Sequence, residues 1–116
     1  MPSIFYGDEK GLEGEKEPEY RRPMEFCKED RLEEVYKSFI ALRKSHPCFM
    51  NGKYETVLVN GNTYGYRRSD DTETVTVYMN NGEKTLPLQL SGRIIISKNY
   101  KDGKLFENGY VVTTEE

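Results

Sequence analysis

Acidic side chains are concentrated near the start of the chain, in a loop that also contains several glycines. Asp8 and Glu9 follow a short apolar run, and further glutamates continue until the loop ends at Arg21 and Arg22. Carboxylates perform acid–base or nucleophilic chemistry only when the fold holds them in a fixed geometry. Acids in a flexible loop do not meet this requirement. We therefore predict no catalytic residue in the chain.

Other residue types that build catalytic or metal sites are sparse. His46 is the only histidine, and no acid or cysteine stands near it at a metal-ligand spacing. Cys27 and Cys48 flank a predicted helix of roughly 24 Å, whereas a disulfide needs Cα atoms within about 7 Å. We predict two free thiols, which favour a cytoplasmic location. We also predict that His46 has a structural role and that the chain binds neither a metal nor a cofactor.

The composition is that of one polar globular domain. The chain has 116 residues, of which 35% are hydrophobic and 32% charged, with a net charge of −3. That length is sufficient for an independent core. Interspersed charges of both signs argue against nucleic acid or an anionic membrane as a partner. The chain contains no run of 18 apolar residues, so we predict no membrane span.

Helical periodicity predicts one amphipathic α-helix from about Asp30 to Ser45. Asp30 and Glu33 have the spacing of a capping box, and Pro47 ends the helix. One stripe of this helix is mainly apolar and contains Leu32, Val35, Tyr36, Phe39, Ile40 and Arg43. Leu42 lies close beside this stripe.

After residue 53 the hydrophobic period changes to two, which predicts strands. Asn60-Gly61 is typical of a type I′ hairpin, and residues 99–109 are interpreted as a turn-rich connection. Six short strands separated by turn signals predict an antiparallel sandwich or barrel. Two inward faces are clear: Val75, Val77 and Met79 on one strand, and Leu86, Leu88 and Leu90 on another.

Three segments carry a family resemblance: residues 2–14, the run Glu17-Pro18-Glu19-Tyr20-Arg21-Arg22-Pro23-Met24, and residues 42–47. They resemble the last barrel strand, the loop after it and the last helix of the alpha-amylase family of glycoside hydrolases. The branch of neopullulanases, cyclomaltodextrinases and maltogenic amylases is most similar.

The resemblance implies a mainly β fold in three parts. Residues 1–29 would be the remnant of a (β/α)8 barrel strand and its loop, a segment not expected to order by itself. Residues 30–46 would be the last barrel helix, and residues 47–116 an antiparallel Greek-key β-sandwich. A complete barrel needs roughly 250 residues, so its catalytic acids lie outside this chain.

The function implied is that of the C-terminal region of an enzyme acting on α-1,4-glucans or cyclodextrins. The parent would be a retaining α-glycoside hydrolase, with the α-glucan or cyclodextrin as its partner, and the chain alone is predicted to be inactive. The alternative is a freestanding carbohydrate- or protein-binding sandwich.

The resemblance also implies two substrate-binding residues, Glu17 and Arg21. They match an Asp-Pro-x-x-Arg pattern whose acid and arginine contact sugar hydroxyls in the family, with Glu17 in place of the usual Asp. Charge-assisted hydrogen bonds suit that task. Alternatively, Arg21 and Arg22 pair with nearby loop acids. Asp8 and Glu9 end the predicted strand, where they either serve a site or buttress the loop.

Two surface features remain open. Tyr64, Tyr66, Tyr78 and Tyr100 are candidates for a sugar-stacking platform, although tyrosine is also common in strands for packing reasons. The predicted strand at residues 4–6 and the apolar helix stripe expose surface that tends to associate. We therefore predict self-association.

Overall fold

The computed structural model describes residues 1–14, 23–24 and 31–116. These residues form two compact units, Met1–Ser45 and His46–Glu116. None of the helices in the described ranges is long and apolar enough to cross a membrane.

The first unit begins with a turn in place of the predicted strand. Residues 1–5 have no strand partner among the described residues, and a short 3-10 helix follows at Asp8–Lys10. A parallel strand needs neighbours for its backbone hydrogen bonds. The described residues of this unit include no such neighbour, so no strand forms there, and Phe5 is half exposed.

The helix of this unit, α1, spans Arg31–Ser45. Its C-terminal end agrees with the sequence prediction, because Pro47 excludes a continuing helix. The proposed capping residue Asp30 lies outside the described residues. Leu42 is buried, but three residues of the predicted apolar stripe stay about 40% exposed: Leu32, Val35 and Ile40.

The second unit starts with a single-turn helix, α2 (Cys48–Asn51), and continues as antiparallel sheet. The six predicted strands are all present. Their bounds are β1 Lys53–Asn60, β2 Thr63–Ser69, β3 Thr74–Asn80, β4 Leu86–Pro87, β5 Arg93–Lys101 and β6 Lys104–Glu115.

Strands β1, β2 and β3 form a meander, and β6 lies beside β3. The chain between β3 and β6 contributes β4 and β5, which both pair with β6. The last strand therefore returns beside β3, the last strand of the meander, and pairs with three strands. The mainly β fold predicted from sequence, with antiparallel strands after one helix, is confirmed.

Two hairpins differ in detail from the prediction. The β1–β2 loop is Gly61-Asn62, with the left-handed φ of 58° at the glycine alone, as in a type II′ turn and not type I′. The predicted turn-rich connection at residues 99–109 is wrong. The chain reverses at Asp102-Gly103, where both φ angles are positive, and β5 and β6 extend through the rest.

The core of the second unit joins β6 to residues of β1, β3 and β5 and to the segment that follows β4. It contains Leu88, Leu105 and Val111, with Leu58, Tyr78, Leu90 and Tyr100 packed against them. Val75 and Val77 are buried as their alternation predicts, whereas Met79 at the end of β3 is partly exposed.

Candidate functional site

The predicted substrate-binding residues Glu17 and Arg21 lie outside the described residues, as does Arg22. Their role and the alternative pairing with loop acids both stay predictions. The described residues on either side define four clusters that bear on function.

Asp8 and Glu9 stabilise the turn at the start of the chain. The Asp8 carboxylate accepts a hydrogen bond from the backbone N–H of Phe5 at 3.1 Å. The Glu9 carboxylate accepts one from Gly7 at 3.2 Å, and Gly7 has a left-handed φ of 90°. Both acids therefore brace the turn, as in the buttress interpretation.

An ion-pair cluster joins this turn to α1. Glu33 contacts the ammonium group of Lys10, and its other carboxylate oxygen lies 2.8 Å from Nζ of Lys37. Hydrogen bonds from the two lysines lower the pKa of Glu33 to about 2. Glu33 is ionised at neutral pH, so it fixes the turn and cannot act as a proton donor.

A polar cluster stabilises the start of the second unit. Nδ1 of His46 lies 2.7 Å from Glu73, and the backbone N–H of Cys48 donates to the same carboxylate at 3.3 Å. The Arg68 guanidinium donates to the carbonyls of Cys48, at 3.2 Å, and Gly52, at 2.9 Å. Arg68 thereby closes α2 onto β2.

This cluster is structural in its chemistry. Burial, followed by the nearby Glu73 carboxylate, raises the pKa of the Cys48 thiol to about 12. A nucleophilic cysteine needs the opposite shift. Sequence reasoning found no acid partner for His46, because Glu73 is 27 residues away and the β2–β3 turn brings it close.

The tyrosines separate into a core group and a surface group. Tyr78 and Tyr100 pack against the core, and the Tyr100 hydroxyl donates to the Leu88 carbonyl at 3.0 Å. Tyr64 and Tyr66 lie instead on the outer hairpin, together with Tyr54, which sequence reasoning missed. The predicted platform is therefore wrong for Tyr78 and Tyr100 and right in grouping Tyr64 with Tyr66.

The surface tyrosines contact one another across β1 and β2. The Tyr54 and Tyr66 rings stack with centroids 5.4 Å apart and planes 20° apart. The Tyr64 ring lies 6.1 Å from that of Tyr66, and its hydroxyl contacts those of Tyr54 and Thr56. We call the side of the sheet that carries these three rings the tyrosine face.

Metal-binding groups do not converge in the described part of the chain. No three His, Cys, Asp or Glu side chains lie close enough there to hold an ion.

Comparison with known proteins identifies the family. The chain is 40% identical over 85 residues to a cyclomaltodextrinase from a Bacillus species, a match that covers 69% of this chain and 15% of that enzyme. It is 38% identical over 69 residues to an amylopullulanase from Thermoanaerobacter thermohydrosulfuricus, covering 59% of the chain and 5% of the enzyme. The structure matches the maltogenic amylase of S. marinus with a TM-score of 0.75 and 26% identity over 94% of the chain.

The chain belongs to the alpha-amylase family. No protein-family model matches it, and the assignment rests on these relatives and on the shared fold. The chain spans 15% of the length of the Bacillus cyclomaltodextrinase and 16% of the S. marinus maltogenic amylase. Alpha-amylase-family membership thus agrees with the resemblance in the barrel loop and with the antiparallel sheet that follows α1.

Proposed function

We propose that the chain is the C-terminal region of an alpha-amylase-family glycoside hydrolase that acts on α-1,4-glucans or cyclodextrins. The observation that carries the proposal is the 40% identity over 85 residues to a cyclomaltodextrinase. In this role the antiparallel sheet is a structural domain of the enzyme, and the chain takes part in hydrolysis only as part of that enzyme.

The carboxylates of the described residues support a non-catalytic role for the chain by itself. A retaining glycosidase needs two carboxyl groups about 5 Å apart, one of which keeps its proton near neutral pH. Three described acids have clearly lowered pKa values, namely Glu33, Asp70 and Glu73. Each is held ionised by hydrogen bonds within the fold, so none supplies the acid.

Glu17 and Arg21 are the substrate contacts in this proposal. A carboxylate and a guanidinium four residues apart, with Pro18 between them, can bind vicinal sugar hydroxyls through directional, charge-assisted hydrogen bonds. The braced turn at Asp8 and Glu9 and the ion pair from Lys10 to Glu33 anchor the chain just before this loop.

A hybrid enzyme tests the substrate contacts. The 116 residues replace the matching segment of the Bacillus cyclomaltodextrinase, and β-cyclodextrin hydrolysis is followed by release of reducing ends. We expect Arg21→Ala to lower kcat/KM by roughly 10- to 100-fold, as expected for the loss of about 1.5–3 kcal/mol from a charged hydrogen bond. The matched control Arg22→Ala should stay within roughly threefold.

The opposite pattern would contradict the role of Arg21. If Arg21→Ala and Arg22→Ala lower the melting temperature equally and leave kcat/KM of the folded enzyme unchanged, both arginines pair with loop acids. Glu17→Asp is a further control for the substrate-binding role, because it restores the usual family residue and should keep activity.

We also propose self-association of the isolated chain through the exposed stripe of α1. Leu32, Val35 and Ile40 each keep about 40% of their surface in water, and adjacent exposed apolar side chains favour association. Sedimentation velocity over a concentration series should show a dimer that Val35→Glu weakens. A chain that sediments as a monomer at every concentration would contradict this proposal.

A further inference from the structure

The tyrosine face is set by strand register. In the β1–β2 ladder Tyr54 pairs with Arg68 and Thr56 with Tyr66, so these side chains point to the same side of the sheet. Tyr64 lies on that side two residues before Tyr66. The three rings therefore form a row across an edge hairpin.

The ring of Tyr54 is exposed, those of Tyr64 and Tyr66 are half-buried, and contacts hold all three in place. Tyr54 is 55% exposed, and its ring stacks on Tyr66 on one side while the Arg68 guanidinium lies 6.0 Å from its centroid. Contacts between the hydroxyls of Tyr54, Tyr64 and Thr56 fix the ring orientations. Little rotamer freedom is left to lose when a ligand covers the rings.

The row continues into a shallow groove beside Tyr64. The groove has a volume of about 450 Å³, and Tyr64, Met79 and Tyr110 form its apolar floor. Tyr64 pairs with Met79, and Met79 pairs with Tyr110, so the floor crosses three adjacent strands. Asparagines supply its rim, including Asn62 and Asn108.

This combination fits a sugar chain. A pyranose has an apolar C–H face and a polar edge, so it stacks on an aromatic ring while its hydroxyls reach amides at the rim. Val75, Val77 and Val112 lie on the same side of the sheet and are buried. The accessible part of this side is its β1–β2 edge, where Tyr54 is exposed, and exposed apolar surface of this kind marks a binding site.

We propose that the tyrosine face and the adjoining groove bind a chain of α-1,4-linked glucose units. The choice of α-linked glucose rests on the proposed function. The aromatic and amide chemistry of the site is independent of it. The exposed part of the Tyr54–Tyr66 pair contacts the first glucose units, and the groove at Tyr64 holds the next.

The test is a titration of the full 116-residue chain with maltoheptaose and β-cyclodextrin, followed by NMR amide shifts and calorimetry. We expect shifts that cluster on β1, β2 and residues 79–81. Tyr54→Ala and Tyr66→Ala should each weaken binding by roughly fivefold. Tyr6→Ala is the matched control, because Tyr6 is also an exposed tyrosine but lies in the first unit, and it should leave affinity unchanged.

Three outcomes would overturn the proposal. One is no binding at millimolar sugar in a chain whose circular dichroism shows a folded sheet. Another is equal binding of cellohexaose, whose β-linkage gives a different chain shape. The third is a set of shifts confined to residues 17–21, which would support the substrate loop of the proposed function and exclude the tyrosine face. Binding that Tyr66→Phe keeps and Tyr66→Ala loses would show that ring stacking, and not folding, is measured.

Discussion

Nδ1 of His46 lies 2.7 Å from Oε2 of Glu73, which joins the first residue of the second unit to the turn between β2 and β3. The other oxygen of the same carboxylate accepts the backbone N–H of Cys48. The turn itself is closed by Asp70, whose backbone N–H donates to the Glu73 carbonyl at 3.0 Å. One carboxylate therefore positions the chain where it enters the sheet.

Replacing Glu73 by Gln removes the charge and keeps the size of the side chain. We expect the free energy of unfolding to fall by about 1–3 kcal/mol, because a charged hydrogen bond and the partner of a largely buried imidazole are lost together. Urea denaturation of the full chain measures the change. Glu55→Gln is the control, since Glu55 lies 3.7 Å from Arg67 at the surface and should cost less than about 0.5 kcal/mol. Equal stability of Glu73→Gln and Glu55→Gln would contradict the role assigned to this carboxylate.

Acidification should act through the same residue. Burial raises the pKa of Glu73, but hydrogen bonds from His46 and Cys48 more than offset this, so its pKa lies below the ordinary value of 4.5. The folded state then binds fewer protons than the unfolded state in this range. Its stabilising contribution is complete above pH 4.5 and is lost as the pH falls through the lowered pKa.

Urea melts below pH 4.5 measure this contribution. The stability of the wild-type chain should fall more steeply with acid than that of Glu73→Gln. Asp70 also has a lowered pKa, because it accepts hydrogen bonds from Thr72 and from the backbone of Glu73, but it is present in both proteins and cancels. Parallel curves would show that Glu73 does not titrate with folding.

The Cys48 thiol should be unreactive in the folded chain. Its side chain is fully buried, and its pKa is raised to about 12, so the thiolate fraction near pH 8 is roughly 10⁻⁴. In a Cys27→Ser variant, where Cys48 is the only thiol, iodoacetamide should react at least roughly 100-fold faster in urea than in buffer. Mass spectrometry follows the reaction. Equal rates in urea and in buffer would place the thiol at the surface.

Gly65 should not accept a side chain. A Cβ there would lie 2.6 Å from Cδ1 of Tyr78 and 3.1 Å from Cβ of Leu58, and overpacking of this kind costs about 1–3 kcal/mol. Thermal unfolding of Gly65→Ala measures the cost. Gly61→Asn is the control, because nothing lies within 4 Å of that position and asparagine tolerates its left-handed φ. If the two variants melt together, Tyr78 does not pack on β2.

Local patterns predicted most of the sheet. The alternation at Val75 and Val77 and the glycine near residue 61 define strands through period and turn chemistry alone. The error at residues 99–109 came from reading every polar residue there as a turn, although Asp102-Gly103 was the strongest hairpin signal present. The expected strand at residues 4–6 has the right composition, but it lacks a partner strand among the described residues.

The clusters of functional interest depend on strand register, which the local sequence pattern does not determine. Tyr54 contacts Tyr66 because Thr56, two residues further along β1, pairs with Tyr66. The register of β1 shifts only after Thr56. Glu73 contacts His46 because the β2–β3 turn lies close to the first residue of the second unit. Glu17 and Arg21 stay predictions that rest on the family resemblance.

β-Cyclodextrin hydrolysis by the hybrid cyclomaltodextrinase tests the central claim most directly. Three proteins are compared: the hybrid carrying these 116 residues, the same enzyme without that segment, and the isolated chain. We predict that the hybrid hydrolyses β-cyclodextrin, whereas the shortened enzyme and the isolated chain do not. A folded hybrid without activity, or an isolated chain that releases reducing sugar, would contradict the assignment of this chain as the non-catalytic C-terminal region of such an enzyme.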